Sequence, residues 1–520
     1  MLPLDIHRRL ALACLFAVLP IAACAVDANA PAAIGSQREL FVDDVLIDHL
    51  SGGAQRQLHH PEPREIALVH DAPWEGGGTG YHSIFQDGDR YRMFYKAEQI
   101  EVSPKSVKMD AHPIFCCYAE SDDGIHWRKP ELGLNEFNGS KANNIAIASG
   151  PIGEVKVDAG ALALFKDDNP AATDDARYKA LLHSAGPKGL LAFKSADGLH
   201  WSPMQTEPVI TAGAFDSQNL AFWDAVHGEY RAYWRIFTGG IPTEKNFTPG
   251  NYRAIRTAAS PDFIHWTKQA DIIFADSPRE HLYTSQVKPY YRAPQLLLGF
   301  PTRYLERGWS ESMRALPERE HREMRAAANQ RYGTAITEGL LMASRDGVHF
   351  QRWNEAFLRP GIERDGTWNY GQQYIGWQVV ETKSAIEGAP NELSLYAGER
   401  YWNGQGSAVR RYTLRLDGFV SVNAPMKGGE LLTKPLTFTG SKLTLNFSTS
   451  AAGSVRVELQ QEDGSPLPGY TLDDCEDTFG DALERPVVWK AGRDVSPLAG
   501  KVMRLRFVLK DADVFSFRFQ

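Results

Sequence analysis

Three acidic residues in the middle of the chain have the type and placement for acid–base chemistry: Asp158, Asp216 and Glu280. Each stands at the start of a stretch that reads as a β-strand. Hydrolysis of a glycosidic bond needs one carboxylic acid to protonate the leaving oxygen and one carboxylate to attack or to activate water. We therefore predict Asp216 as nucleophile or base, Glu280 as general acid and Asp158 as a pKa-tuning or sugar-binding carboxylate. The alternative for each is a structural role, such as a turn cap for Asp158.

Polar residues at matching positions of other predicted strands would surround these carboxylates. Arg235 and Arg303 can hold hydroxyls or an anionic group and keep nearby carboxylates ionised. Glu399, at the end of a later strand, is a rival for the role of acid. The predicted substrate-binding set is His82, Lys96, Arg235, His281, Tyr283, Arg303, Gln373 and Glu399.

A seven-residue phrase that occurs four times indicates the elements that position these residues. A Ser-x-Asp turn, followed by an apolar residue, a His and an aromatic, predicts a hairpin whose Asp caps backbone N–H groups. The copies lie roughly 65–85 residues apart, a period that suits a four-stranded propeller blade. A degenerate fifth copy at Leu416–Phe419 makes five blades. The four full copies are Ser121–Trp127, Ser195–Trp201, Ser260–Trp266 and Ser344–Phe350.

Propeller geometry predicts that the candidate residues open on one face of the ring. The first strand of each blade lines the central channel, and neighbouring strands are antiparallel, so the start of strand one and the end of strand two open on the same face. The candidates occupy those positions. The turn histidines belong instead to the outer part of each blade, and we predict no metal or catalytic role for His126, His200, His265 and His349.

The fold class predicted from these patterns is all-β, a five-bladed β-propeller over residues 36–419 followed by a small β-sandwich over 420–520. The sandwich either docks against the propeller or binds glycan. Leu40–Ile47 reads as an edge strand or a blade-closing strand, with Asp43 and Asp44 in a surface or closure role. Trp309–Tyr332 is charged and helical in composition, and is either a solvated helix or a lid over a pocket.

The first 24 residues read as an export signal. Arg8 and Arg9 precede an apolar run that is too short to cross a bilayer as a mature helix. Ile21-Ala-Ala-Cys24 resembles a lipobox, which predicts a bacterial lipoprotein, periplasmic or anchored to the outer membrane through a lipid at Cys24. Ordinary signal-peptidase cleavage after Ala25 or Ala30 is the alternative.

Composition excludes some classes of function. The net charge is −8 over 520 residues, with no basic stripe, so nucleic acid is not a predicted partner. Outside the leader, Cys116, Cys117 and Cys475 match neither a disulfide framework nor a zinc site, and buried packing is the prediction for them. We predict no metal ligands among the site residues. The sequence does not define an oligomeric state.

Several phrases resemble known proteins. The blade count and Gln86-Asp-Gly-Asp-Arg-Tyr-Arg-Met-Phe-Tyr95 resemble the five-bladed glycoside hydrolases of families 32, 43 and 68. Leu40-Phe-Val-Asp-Asp44, Phe215-Asp-Ser-Gln-Asn219 and Leu416–Ala424 resemble exported bacterial proteins labelled family-32-like. The resemblance implies a glycosidase with a carbohydrate substrate and no required cofactor, and a structural calcium ion in the channel of some relatives.

The sequence also departs from these families. Where the furanosidases carry a nucleophilic Asp at the start of blade 1, this chain has Gly78-Thr-Gly-Tyr-His82, and Glu75 is out of register. The repeated turn is similar to the Asp-box of sialidases. Sialidases use an arginine triad and a Tyr–Glu pair, and in this chain Arg235, Arg303 and Tyr283 could take the place of part of that set. The prediction is an exported glycosidase; the alternatives are a non-catalytic glycan-binding lipoprotein and a sialidase-like hydrolase.

Overall fold

The computed structural model describes residues 30–104, 106–109, 111–239, 251–403, 406–490 and 492–520. The predicted signal segment and Cys24 lie outside the described residues. The described chain consists mainly of β-strands and the loops that connect them, with three short α-helices in one insertion, so the all-β prediction is confirmed.

Six sheets, mostly antiparallel, follow one another along the chain, and we group them as blades 1 to 5, with two sheets in blade 4. Blades 1 to 3 are each continuous. Blade 1 contains Gly80–Asp87, Arg90–Ala97, Phe115–Ser121, Trp127–Arg128 and Ile145–Ala148. Blade 2 contains Gly150–Ile152, Val155–Lys166, Tyr178–Ser184, Leu190–Ser195 and Ser202–Pro203. Blade 3 contains Leu220–Asp224, Glu229–Phe237, Arg253–Ser260 and Thr267–Asp271.

Blade 4 is split into two parts, and blade 5 takes one strand from the N-terminal part of the chain. The larger, five-stranded part of blade 4 contains Lys288–Tyr290, Ala293–Gly299, Met342–Ser344, His349–Arg352 and Ile273–Phe274. Its other part contains His281–Leu282, Thr302–Glu306 and Ala335–Gly339. Blade 5 contains Val380–Thr382, Glu392–Glu399, Ala408–Arg415 and Glu62–Val69. The closing strand is therefore Glu62–Val69 and not Leu40–Ile47.

Contacts between inner strands join the blades into a ring. Ser83 of blade 1 forms a parallel bridge with Trp377 of blade 5, and Leu162 of blade 2 forms one with Asn219 of blade 3. A buried amide links blade 4 to blades 3 and 5: the Gln286 Nε2 donates to Gln218 Oε1 at 2.9 Å and to the Ile375 carbonyl at 2.8 Å. Between blades 1 and 2, the Tyr178 hydroxyl donates to Asp87 Oδ2 at 2.5 Å. The ring is the reason why residues far apart in sequence meet at one face.

The repeated turn caps its own backbone, as predicted. The Asp123 Oδ1 accepts from the backbone N–H groups of Ile125 and His126, each at 2.8 Å, while Oδ2 lies 2.7 Å from His126 Nδ1. Gly124 takes a φ of 74°, a left-handed value that favours glycine. The histidine is exposed and bonded within its turn, and the same contacts recur around Asp197, Asp262 and Asp346.

The fifth copy behaves differently. Asp417 is fully buried and accepts from Tyr290 Oη at 2.8 Å, Arg292 Nε at 2.7 Å and Ser516 Oγ at 2.9 Å, with Arg38 Nη1 at 3.3 Å. These partners come from blade 4 and from both ends of the described chain. Asp417 therefore fastens the propeller to the C-terminal sheet.

The C-terminal part is one connected sheet with two long bent strands, Leu443–Gln460 and Arg504–Phe519. Both strands extend from one half of the sheet to the other, so the two halves belong to a single sheet. The core of this sheet includes Phe447, Val457 and Phe507. Its other strands are Val420–Ala424, Gly429–Thr433, Asp481–Pro486, Glu39–Leu40, Ile47–Gly52 and Gln55–Leu58, with Ala32–Gly35 pairing Leu436–Phe438 beside it and the hairpin Glu101–Ser103 and Ser106–Lys108 standing apart.

The pairing of strands Glu39–Leu40, Ile47–Gly52 and Gln55–Leu58 differs from the predicted domain division. Residues 39–58 pair with the C-terminal strands, whereas the sequence prediction assigned them to the propeller. Strands near the N-terminal end of the described chain thus share one sheet with its last strand. Hydrogen bonding across several hundred residues decided this, and no local pattern signals it.

The predicted helical insertion is present between two strands of blade 4, as Glu311–Ala315, Arg319–Ala328 and Gln330–Thr334. It is not a simple solvated helix, because Arg322 and Arg325 are fully buried. Arg322 donates to the carbonyls of Pro317 at 2.9 Å and Trp368 at 2.8 Å, and Arg325 donates to Asn369 Oδ1 at 2.9 Å. The insertion is therefore fixed against the loop before blade 5.

Candidate functional site

Side chains from all five blades meet at the face where inner strands start and second strands end. We call this group the mouth cluster. It consists of Tyr81, Lys96 and Glu98 from blade 1, Asp158 and His183 from blade 2, Asp216, Arg235 and Arg253 from blade 3, Tyr283 and Tyr304 from blade 4, Tyr370, Tyr374 and Tyr401 from blade 5, and Arg331 from the insertion.

Tyrosine rings form the floor of the mouth cluster. The Tyr374 ring lies 6.0 Å from Tyr81 and 5.4 Å from Tyr283, centroid to centroid, and is stacked in both pairs. The Tyr283 and Tyr370 hydroxyls share a hydrogen bond of 2.7 Å. Such amphipathic rings can pack against the apolar face of a sugar while their hydroxyls bond to its oxygens.

Asp216 is the accessible carboxylate of this cluster. Its side chain is 73% exposed, and it bonds to the guanidinium of Arg235, which is 4% exposed. Crowding at the mouth raises the pKa of the Asp216 carboxyl, but the charges of Arg235 and Arg253 outweigh that effect and leave the pKa below its ordinary value. Asp216 is thus an ionised carboxylate that faces solvent, as its predicted role requires.

Asp158 lies on the neighbouring blade and forms a dyad with His183. The Asp158 Oδ2 is 3.3 Å from His183 Nδ1, and Oδ1 accepts from the Gly160 N–H at 2.8 Å. Burial raises the pKa of Asp158, and the bonds to His183 and Gly160 lower it to a net value below normal. The His183 ring lies 6.1 Å from Phe215, the residue before Asp216. The dyad therefore lies beside the loop that carries Asp216.

Lys96 is also in the cluster, as predicted, but it is paired within the protein. Its Nζ lies 2.6 Å from Glu98 Oε2 and 5.0 Å from the centre of the Tyr81 ring. Burial lowers the pKa of Lys96, and the Glu98 charge raises it by more. Lys96 is therefore a charged side chain of the mouth cluster.

His281 packs behind the mouth. Its Nδ1 accepts from the Arg253 backbone N–H at 3.2 Å, and its ring meets Tyr304 edge-on at 5.9 Å. Burial, together with the charge of Arg253, lowers the pKa of His281 to about 4. A neutral imidazole in this position supports Arg253.

The predicted general acid, Glu280, belongs to a separate group of ion pairs. Glu280 is held by Arg303 Nε at 3.1 Å and Arg352 Nη2 at 2.9 Å, and Arg303 also bonds to Glu338 at 2.9 Å. Glu280 and Arg352 line a cavity of about 470 Å³ together with Ser277 and Arg253. Glu280 is paired with Arg303 whereas Asp216 is paired with Arg235, so the predicted grouping of Glu280 and Asp216 as acid and base is not observed.

Three other predicted ligands are buried and bonded within the protein. His82 is 2% exposed and stacks on His70, and burial lowers its pKa to about 3. Gln373 is 2% exposed and donates to Tyr412 Oη at 3.0 Å. Glu399 is 1% exposed and lies 2.6 Å from Arg364 and 2.7 Å from Arg410. None of the three side chains is available as a substrate ligand or, for Glu399, as a rival acid.

Sequence reasoning missed Arg253 and Arg331. In an antiparallel blade the third strand starts at the end where the second strand finishes, so Arg253 opens on the mouth by the same geometry that placed Arg235. That register position was a usable signal. Arg331 had none, because it comes from the insertion and reaches Tyr370 only through tertiary packing.

Within the described residues, no group of three or more His, Cys, Asp or Glu side chains is arranged to hold a metal ion. Cys116, Cys117 and Cys475 are buried free thiols. No helix in the described parts of the chain is long and apolar enough to cross a membrane.

Comparisons with known proteins give distant structural matches. No family model matches the sequence, and no curated protein matches it. Among solved structures, a protein from Bacteroides ovatus, described as a candidate glycoside hydrolase, is 13% identical, with a TM-score of 0.39 over 68% of this chain and 97% of that one. An N-acetylgalactosamine deacetylase from F. plautii, solved with blood group B trisaccharide, is 12% identical, with a TM-score of 0.40 over 69% and 94%.

A third match is the catalytic domain of a family-62 α-L-arabinofuranosidase from Coprinopsis cinerea. It is 8% identical, with a TM-score of 0.41 over 68% of this chain and 97% of that one. At TM-scores below 0.5 these matches do not define the activity of this chain. The chemistry of the mouth cluster is the basis for a functional assignment.

Proposed function

We propose that the protein is a glycoside hydrolase whose site is the mouth cluster. The observation that carries the proposal is the exposed Asp216 carboxylate, held ionised by a buried arginine above a floor of tyrosines. Carboxylate and aromatic rings together suit a sugar: the rings bind its face and the carboxylate attacks the anomeric carbon or activates water.

Asp216 supplies the nucleophile or base, and the Asp158–His183 dyad supplies the proton. Because Asp158 faces Nδ1, the Nε2 of His183 is the ring nitrogen left for the substrate. Asp158 orients the imidazole, and the proton on Nε2 of His183 can be transferred to the leaving oxygen. This assignment replaces Glu280 as the donor. Export through the leader and a lipid anchor at Cys24 remain part of the proposal.

Hydrolysis of a panel of aryl glycosides and polysaccharides by the mature protein tests this function. Asp216→Asn and His183→Gln should each lower the turnover of the cleaved substrate by about 10²–10⁴-fold. Asp122→Asn is the control, because Asp122 is an exposed residue of the outer turn, paired with Arg128. Equal hydrolysis by wild type and both mouth variants would contradict the assignment.

A non-catalytic glycan-binding protein is the second candidate, and one observation favours it. Asp158 and Asp216 both have a pKa below the ordinary value, so neither is a neutral carboxylic acid that can protonate a leaving group. Without a proton from His183, the site would only bind. Binding of panel glycans with no product released by the wild type would select this candidate.

A further inference from the structure

The cationic side chains of the mouth cluster outnumber their partners. Lys96 is paired with Glu98, and Arg235 is paired with Asp216. Arg253 and Arg331 have no carboxylate within 4.0 Å among the described residues. Two guanidinium charges at one site are thus left without a counter-ion.

Arg253 is held by aromatic rings. It is 7% exposed, and its guanidinium carbon lies 4.6 Å from the centre of the Tyr304 ring and 5.2 Å from that of Tyr283. One polar contact is with His281 Nδ1, at 3.4 Å from Nη1, and the buried Nε has no hydrogen-bond partner in the described structure. A guanidinium in such surroundings has donors to spare.

Arg331 approaches the same tyrosines from the insertion. Its guanidinium lies 4.7 Å from the Tyr332 ring and 5.9 Å from the Tyr370 ring, and its buried Nη1 has no hydrogen-bond partner among the described residues. Tyr370 is 5.4 Å from Tyr304, the ring on which Arg253 rests. The two arginines therefore flank one group of tyrosines.

Buried guanidinium groups require compensation for the water that they lose. Ring contacts offset part of that cost, but a full charge in protein surroundings is normally matched by an anion. The planar fork of arginine fits carboxylate and sulfate oxygens in pairs. Asp216 is bonded to Arg235, and among the described residues it forms no ion pair within 4.0 Å with Arg253 or Arg331.

We propose that the mouth cluster binds an anionic sugar residue, with its carboxylate or sulfate group held by Arg253 and Arg331. The inference rests on the proposed function, since it names the substrate class of the same site. It divides the site by role: the two arginines bind the acidic group, the tyrosines bind the ring, and Asp216 with the dyad acts on the linkage. The charge of the ligand, and not its stereochemistry, is what this geometry selects.

Binding measured by calorimetry with matched sugars tests the inference without requiring turnover. The probes are disaccharides of the gluco and galacto series in four forms: unsubstituted, uronic acid, uronic acid methyl ester and 6-sulfate. The wild type should bind a uronate or sulfate at least tenfold more tightly than the matched neutral form, about 1.4 kcal/mol. The uronate and sulfate arms identify which acidic group is preferred. The preference should shrink as salt is added.

Arginine variants assign the preference to residues. Arg253→Met and Arg331→Met should each reduce the anionic preference to below threefold, and Arg253→Lys, which keeps charge but not the fork, should retain part of it. Arg256→Met is the control on the same strand as Arg253, because Arg256 is paired with Asp271. Arg319→Met, which breaks a pair with Glu323, is the control in the insertion.

Each outcome decides the inference. Equal affinity of the wild type for charged and neutral forms would overturn it, as would a complete lack of binding, and neither result depends on a variant that folds. Equal weakening of charged and neutral forms by Arg253→Met would also overturn it. Anionic sugars that bind without being cleaved would support the inference and refute the hydrolase, whereas neutral sugars bound and cleaved in preference would do the reverse.

Discussion

Asp216 and Arg235 form an ion pair whose two members differ sharply in exposure: the carboxylate is 73% exposed and the guanidinium 4%. The arginine is fixed in a central strand of blade 3, and the aspartate projects from the preceding loop. A buried cation beside an exposed carboxylate keeps that carboxylate ionised while leaving it accessible to a substrate.

Replacement of Arg235 should therefore shift the acid limb of the pH–activity profile. Arg235→Met removes the charge that lowers the pKa of Asp216, so the pKa rises and the ionised form is lost at a higher pH. The measurement is kcat/KM against pH on a substrate from the panel. Arg231→Met on the same strand, where Arg231 pairs with Glu229, should leave the limb in place. An unmoved acid limb in Arg235→Met would show that Asp216 is not the group that titrates.

Tyr283 should ionise more easily than an ordinary tyrosine. Burial raises the pKa of its phenol, but the nearby guanidiniums of Arg235 and Arg253 lower it to a net value below 10. Ultraviolet titration of the wild type minus Tyr283→Phe should isolate one phenol that ionises below pH 10. In Arg253→Met the same difference should move to higher pH, because one of the two charges is gone. A difference spectrum that develops only above pH 10 would contradict the electrostatics described for the mouth.

Arg322 and Arg325 should respond oppositely to the same substitution. Arg322→Met leaves the carbonyls of Pro317, Thr367 and Trp368 without their donor, which costs about 3 kcal/mol or more of unfolding free energy. Arg325→Met loses one bond to Asn369 and relieves two buried nitrogens that have no partner, so stability should change by less than about 1 kcal/mol or increase.

Burial lowers the pKa of both groups, that of Arg325 to about 9 and that of Arg322 to about 10, so the expected contrast comes from their hydrogen bonds. Denaturant unfolding of both variants, with hydrogen exchange of the insertion helices, provides the comparison. The prediction is that Arg322 contributes more hydrogen-bond energy to the fold than Arg325. An equal loss of stability in Arg325→Met and Arg322→Met would contradict it.

Asp417 should control the attachment of the C-terminal sheet in a pH-dependent manner. Asp417→Asn leaves Arg38 and Arg292 without their shared carboxylate and should cost about 3 kcal/mol of unfolding free energy at neutral pH. The pKa of Asp417 in the folded protein is below the ordinary 3.8, because the two arginine charges outweigh the effect of burial.

The sign of the pH dependence follows from that lowered pKa. A depressed carboxyl pKa stabilises the fold above the unfolded value and ceases to do so as the pH falls through the folded value. The stability difference between wild type and Asp417→Asn should therefore be constant above about pH 4 and shrink below it. Thermal unfolding across pH 2–7 measures this; a difference that grows on acidification would exclude Asp417 as the linked group.

Much of the fold could be predicted from local patterns in the sequence. The Asp-containing turns, the alternating strands and the helical composition of residues 309–332 each depend on neighbours within a few positions, and the structure confirms them. For the site, strand register predicted that Asp158, Lys96, Asp216, Arg235 and Tyr283 open on one face, because the starts and ends of antiparallel strands fix which face a residue meets, and the structure groups them in the mouth cluster.

Tertiary structure decided the rest. Glu399 and His82 occupy acceptable register positions, yet packing buries them, and the arginines around Glu399 come from distant parts of the chain. Ring closure by Glu62–Val69 depends on hydrogen bonds between the two ends of the propeller. The sequence alone determined which residue types lie at the mouth face, whereas the partner of each charge was decided by long-range contacts, since an ion pair depends on distance in space and not along the chain.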